Sequence, residues 1–313
     1  MLNAQPNPKL FKRFTLTWVL ILPLLFYAFF VGGKQWLSAN LYETSHRTLS
    51  LYVSGLKEIL NKYKALPEIY ADHPLMLALL EAPDDVRLRH KSNMLLEKFN
   101  AVSGASATYV LNAQGITLAA SNWNLPKSFV GRSFSFRPYF QNALASGRGR
   151  FFALGTTSLQ RGYYMSSAIQ NAQGETKGVM VVKVDVTKVE KEWNAPNSEV
   201  LVTDDASIVF LASRPKWLYN AFKDPSPKAL VELGQTRRYA DKTIGRLPFT
   251  IEEAQLPWSN RFNAVNKGDK SYLVTHLDIP SAGWQVWILA NYTVMINTAF
   301  AYAVGAVLLI SLV

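Results

Sequence analysis

Two stretches without a charged residue frame the chain. Residues 14–33, FTLTWVLILPLLFYAFFVGG, are almost wholly apolar. Twenty residues rising about 1.5 Å each just cross a hydrocarbon core of about 30 Å, so the stretch predicts a membrane helix. Such a helix tolerates Pro23 with a kink. A cleaved signal peptide is the competing reading, but the run is long for one and no clear A-x-A site follows. The second stretch begins after Asp278 and runs to Val313. It divides into a strand, Trp284–Asn291, and a second membrane helix from about Thr293, TVMINTAFAYAVGAVLLISLV. Lys9, Lys12 and Arg13 precede the first span and predict that residues 1–13 stay cytoplasmic. A chain that stops inside a membrane helix implies that a cytoplasmic portion follows.

Between the spans the periodicity is first helical. Leu37, Leu41, Leu49, Tyr52, Val53, Leu56, Ile59, Leu60 and Tyr63 recur at spacings near three and four, predicting one long helix over residues 34–67. Pro67 should stop or kink it. Two readings of its apolar face stay open: a cover for a core, and in addition a dimer seam near the membrane. A more polar helical region follows from His73 to Phe99, with Asp84, Asp85, Arg87, Arg89 and Lys91 on a solvated face.

The pattern then changes to short strands and repeats itself. Asn112–Ser121 reads NAQGITLAAS and Asp204–Ser213 reads DDASIVFLAS, each after a short apolar strand and each with a polar turn before a second strand. Each half closes on a glycine-led strand, Gly178–Val186 and Gly283–Asn291. The repeat predicts two similar modules in tandem, residues 68–192 and 193–291, each an antiparallel sheet with helices on one side. The boundary is expected at Trp193–Ser198, WNAPNS. The fold class is α+β, and the second membrane helix occupies residues 292–313.

Composition narrows the function. The apolar fraction of 49% suits a globular chain with one or two spans, and the lack of cysteine excludes disulfides and thiolate metal sites. The net charge of +11 is spread along the chain without the runs of a nucleic-acid arm. An anionic small molecule or an anionic lipid fits better. His46, His73, His90 and His276 form no H-E-x-x-H pattern, and neither G-x-S-x-G nor a P-loop is present. His46 and His276 read as structural. No catalytic or metal constellation can be assembled, and no cofactor is expected in this chain.

The specific chemistry lies in Ser121–Ser167, where arginines, hydroxyls and aromatics concentrate. Arg137 in FRPYF offers a planar fork for a carboxylate, with Pro138 holding the chain behind it and Phe136 and Tyr139 as walls. In VMVVKVDV, Met180, Val182, Val184 and Val186 fall on one strand face and Val181, Lys183 and Asp185 on the other. Lys183 is either paired with Asp185, solvated at an edge, or a second cation for a dianion. Ser121, Ser135, Thr156, Thr157, Ser158 and Tyr164 can donate to carboxylate oxygens, and Gly155 permits close backbone approach. Arg132, Arg148, Arg150 and Arg161 read as surface charges. In the second module Trp217, Tyr219 and Phe222 read as packing and Asp204 and Asp205 as turn residues. That module is expected to transmit rather than to bind.

The strings SNW, FRPYF, GRFFALGTTS and RGYY, in this order, resemble the periplasmic sensor of DctB-type C4-dicarboxylate sensor histidine kinases, a double Cache domain of two PAS-like modules between two membrane helices. The resemblance covers essentially the whole chain. It implies that the membrane-distal module binds succinate, fumarate or malate through Ser121, Ser135, Phe136, Arg137, Tyr139, Thr156, Thr157, Tyr164 and Lys183. It also implies a homodimer in the bacterial inner membrane. Beyond this chain it implies a cytoplasmic kinase region using ATP and Mg, a response-regulator partner and, by analogy, a dicarboxylate transporter. Double Cache folds also serve chemoreceptors and nucleotide cyclases, so a sensor for another organic acid or an amino acid is the alternative.

Overall fold

The computed structural model describes residues 8–312, apart from residues 194, 250–251, 257–258 and 268–269. The start of the predicted cytoplasmic N-terminus, Asn194 in the predicted boundary and Val313 therefore lie outside the described residues. The first predicted span and the long helix are one element, α1 (Pro8–Tyr63), with Pro23 inside it. Pro67 does not end this helix. It sits in the first turn of α2 (Leu66–Ala71), where its missing N–H costs nothing. The region expected as one polar helix is two, α3 (Pro74–Glu81) and α4 (Val86–Ser103). The break falls at Pro83, and Asp85 restarts the helix by accepting from the backbone N–H groups of Arg87 and Leu88 at 2.7 and 3.1 Å. Gly104, at φ +72°, closes α4.

Five strands follow with one intervening helix: β1 (Ala107–Asn112), β2 (Thr117–Ala120), α5 (Pro138–Ser146), β3 (Arg148–Leu154), β4 (Arg161–Gln170) and β5 (Thr176–Val184). They form an antiparallel sheet in the order β2-β1-β5-β4-β3. The second sheet is built from β6 (Ser198–Thr203), β7 (Val209–Ala212), β10 (Glu252–Leu256), β11 (Ser259–Lys267), β12 (Lys270–Ile279) and β13 (Trp284–Asn291). Its order is β10-β11-β12-β13-β6-β7. Read from the opposite edge, β7-β6-β13-β12-β11 reproduces the first sheet strand for strand. Two short parallel strands, β8 (Asn220–Ala221) and β9 (Gly245–Arg246), and α6 (Pro227–Thr236) lie between β7 and β10.

The repeat extends to single hydrogen bonds. Asn112 Oδ1 accepts from the N–H groups of Gln114 and Ile116, and Asp204 Oδ1 accepts from those of Ala206 and Ile208. At the strand ends, Thr108 N–H donates to Ser121 Oγ and Val200 N–H to Ser213 Oγ, both at 3.0 Å.

The alternation read in β5 decides which residues meet which core. Met180, Val182 and Val184 pack with Leu49, Val53, Leu56 and Leu60 of α1, and the same core continues into Val200, Val202, Val286 and Ile288 of the second sheet. At the junction Phe152 and Phe210 lie 4.0 Å apart between ring centroids, and Trp284 touches Phe210 and Tyr163 at 5.0 and 5.2 Å. Val179 and Val181 face a second core with Tyr109, Phe129, Phe134, Tyr139 and Phe140. The first sheet is thus covered on both faces, by α1–α4 on one and by α5 and its loops on the other. The expectation of helices on one side is corrected: the aromatic-rich loop residues and α5 need a face of their own to bury.

β13 passes directly into α7 (Tyr292–Ser311), capped by Asn291 Oδ1, which accepts from Val294 N–H. α7 packs along α1, with the Phe300 ring 5.5 and 6.3 Å from those of Phe26 and Phe30. Both helices are long and apolar enough to cross a membrane.

A core shared by both sheets makes Trp284, 2% exposed, a joint residue. Trp284→Ala is expected to lower the unfolding free energy by about 3–5 kcal/mol in urea titration. A loss below about 1 kcal/mol would contradict a shared core.

Candidate functional site

The second face of the first sheet carries a closed polar pocket. It is lined by Tyr109, Phe129, Phe134, Arg137, Tyr139, Gly155, Thr156, Thr157, Ser158 and Tyr164. Its free space is ≈ 10 Å³, about the room of one water. A larger guest therefore enters only if the walls move, and the loop 155–160 supplies four of the lining residues. Three tyrosines form the floor. Tyr109 OH donates to Tyr139 OH at 2.8 Å, and the Tyr139 and Tyr164 rings stack at 5.0 Å. Burial pushes the Tyr164 phenol up to about 12 and those of Tyr109 and Tyr139 further, so all three stay protonated donors.

Arg137 is the N-cap of α5, held extended ahead of Pro138, and is 1% exposed. Its Nη1 donates to the carbonyls of Thr236 and Arg237 at 2.9 and 3.0 Å, and its Nη2 to that of Leu154 at 3.0 Å. Phe136 lies under the guanidinium, 5.0 Å from its ring centre. Lys183 is also 1% exposed, and its Nζ donates to Ser158 Oγ at 2.8 Å. Burial draws the Lys183 ammonium down to about 8; Asp185 opposes this and the nearby Arg137 charge adds to it. Among the described residues neither cation has a carboxylate within ion-pair distance. Asp185 instead accepts from Thr187, so the sequence reading of Lys183 as paired with Asp185 is not what forms.

Two glycines make this packing possible. A Cβ on Gly155 would lie 2.4 Å from Ser158 Oγ and 3.1 Å from Tyr164 OH. One on Gly162 would lie 2.6 Å from Lys183 Cε, so the lysine stem crosses β4 where a side chain is missing.

Of the residues singled out in the sequence, Arg137, Tyr139, Thr156, Thr157 and Tyr164 line the pocket, and Lys183 stands behind Ser158. Ser121, Ser135 and Phe136 are outside the lining. Ser121 Oγ serves the strand end, as its counterpart Ser213 does, and Ser135 is exposed beside Ser133. Tyr109, Phe129 and Phe134 were not anticipated. Tyr109 shares a strand face with Ala107 and Leu111, and that alternation was the available signal. Arg148 and Arg150 are exposed, but Arg161 is not a surface charge. It makes a two-toothed pair with Glu190 at 2.6 and 2.9 Å and donates to the Phe210 carbonyl at 2.7 Å. Asp204 is a turn residue as expected and also accepts from Arg238 and Tyr239 at 2.9 and 2.7 Å.

No family model matches the chain. The C4-dicarboxylate transport sensor protein DctB of Pseudomonas aeruginosa is 32% identical over 276 residues, covering 88% of this chain and 41% of that protein. The DctB of Rhizobium meliloti is 31% identical over 256 residues, with 81% and 41% covered. The chain thus spans about 41% of the length of these curated relatives. The crystal structure of the V. cholerae histidine kinase DctB sensor domain aligns with a TM-score of 0.73 at 32% identity, over 81% of this chain and 98% of that one. The ligand-binding domain of Mlp24 with asparagine, 10% identical with a TM-score of 0.56 over 85% of this chain and 98% of that one, shares the fold alone. With identity and fold agreeing over nearly the whole of a solved sensor domain, the chain belongs to the DctB family of C4-dicarboxylate transport sensors.

Proposed function

We propose that this chain detects C4-dicarboxylates (succinate, fumarate or malate) on the periplasmic side of a bacterial inner membrane and signals to a cytoplasmic kinase region. The observation that carries this is the pair of buried cations, Arg137 and Lys183, around one hydroxyl-lined pocket, with no carboxylate among the described residues to neutralise either. A buried charge is costly until paired, and a dianion pairs both. The phenols and the Thr156–Ser158 hydroxyls supply the remaining donors. An amino acid would place its ammonium group beside these two cations, and none of the lining residues is acidic. This favours dicarboxylates over the chemoreceptor-type alternative. α1 and α7 would be the two membrane spans of a homodimer. The kinase region would use ATP and Mg and act on a response regulator, with a dicarboxylate transporter as a further partner.

Calorimetry on residues 34–290 tests the ligand class. Succinate is expected to bind and acetate to bind much more weakly, because one carboxylate leaves half the donors unpaired. Equal binding of the two would contradict a two-carboxylate pocket. Lys183→Met is expected to lower succinate affinity about 30-fold or more while the domain stays folded. Affinity near that of the wild type would remove Lys183 from the site.

The depressed Lys183 pKa also sets a pH dependence. Below pH 8 the native state carries a buried ammonium at a cost in stability. As pH rises from about 8 toward the ordinary lysine value of 10.5, the native state sheds this proton before the unfolded chain does. Stability relative to Lys183→Met is therefore expected to rise across this window in urea titrations. A constant difference between the two proteins would show that Lys183 titrates normally.

A further inference from the structure

The loop that closes the pocket is held at both ends by the other module. At one end Leu154 donates its N–H to the Arg238 carbonyl at 2.8 Å, and its own carbonyl accepts from Arg137 at 3.0 Å. The same guanidinium holds the carbonyls of Thr236 and Arg237, the last turn of α6. At the other end Arg161 grips Glu190 and the Phe210 carbonyl, and Glu190 also accepts from Ala212 N–H at 2.8 Å. Thr156, Thr157 and Ser158 lie between these two anchors. A movement of the loop away from Lys183 that reaches either anchor loads the end of α6 or the start of β7.

The α6 terminus is poised for such a load. Arg237 and Ala240 sit at φ +47° and +51°, a region that side-chain-bearing residues seldom occupy. Arg238 and Tyr239 tie this turn to Asp204 beside β6. β6 pairs with β13, and β13 runs into α7. A path of hydrogen bonds and backbone therefore joins the pocket wall to the second apolar helix.

We propose that Arg137 and loop 155–160 form the coupling element of this sensor: a dianion in the pocket draws the guanidinium from the α6 carbonyls and loosens the α6 terminus. A carboxylate is the stronger acceptor, since charge-assisted bonds are roughly twice as strong as neutral ones. Opening of the loop to admit the guest acts on the same turn. Arg137 is thus a positioning residue for the second module as well as a wall of the pocket. The ligand named here rests on the dicarboxylate reading above.

Hydrogen exchange on the full chain in lipid nanodiscs tests this in two arms. Without ligand, Arg137→Gln is expected to speed exchange of the Arg238, Ala240 and Lys242 amides about tenfold or more, with the Val286 amide unchanged. Unchanged exchange at the α6 turn overturns the proposal, whatever the ligand is. With succinate, the wild type is expected to show faster exchange at the same amides; a bound protein with no change there also overturns it. Glu190→Gln, outside the pocket, loosens the other anchor and serves if Arg137→Gln does not fold. It is expected to speed exchange at Ala212 and, by reciprocity, to tighten succinate binding about threefold or more. Unchanged exchange at Ala212, or unchanged affinity, counts against coupling. A wild type that binds no succinate defeats the dicarboxylate reading alone, because the ligand-free arm still decides the coupling.

Discussion

A guanidinium buried without a carboxylate must be neutralised by dipoles, and Arg137 meets this constraint at the end of α6. The last carbonyls of a helix carry the negative end of its dipole and have no partners within the helix. Arg137 supplies partners to two of them and to the end of β3 at once. One side chain therefore links the docking of the two modules to the shape of the pocket. Lys183 shows the same economy with less: a single hydroxyl, Ser158, and a cost visible in its lowered proton affinity.

The duplicated halves differ, among the described residues, on the face that holds the pocket. The turns, strand order and strand-end serines match between the halves, yet the equivalent faces differ. By strand register, Leu201 and Leu289 take the positions of Tyr109 and Lys183. Trp217, Phe222, Leu247 and Phe249 fill the space above them. Where the first sheet keeps hydroxyls and two cations beside the loop, the second has an apolar cluster among the described residues. A packed core transmits displacement well and accommodates a polar guest poorly. In the proposed coupling the second module would be the relay between the pocket and α7.

Much of this was legible in the chain, for reasons that differ by residue. Alternation in VMVVKVDV put Lys183 opposite Met180 and Val182, because side chains in a strand alternate by geometry alone. The paired strings NAQGITLAAS and DDASIVFLAS announced the duplicated hairpins through their Asx turns. Other signals were ambiguous locally. Pro67 fits the first turn of a helix as well as a stop, and only the turn at Lys64–Ala65 decides between them. Arg161 is indistinguishable in sequence from the exposed Arg148 and Arg150; it is Glu190, later in the same module, and the Phe210 carbonyl, brought by the docking of the second, that make it structural.

The sequence by itself determined the two apolar helices, the duplicated α+β plan and the block in which polar chemistry concentrates, since these follow from periodicity and composition. Only the tertiary structure decided which residues of that block face the pocket. Ser121 and Thr157 are equally plausible hydroxyls in the sequence, but strand pairing turns one to a strand end and the other to the cavity. The second role of Arg137 was equally out of reach. Its acceptors lie about 100 residues away, and no local pattern encodes which carbonyls two docked modules leave open to a buried guanidinium.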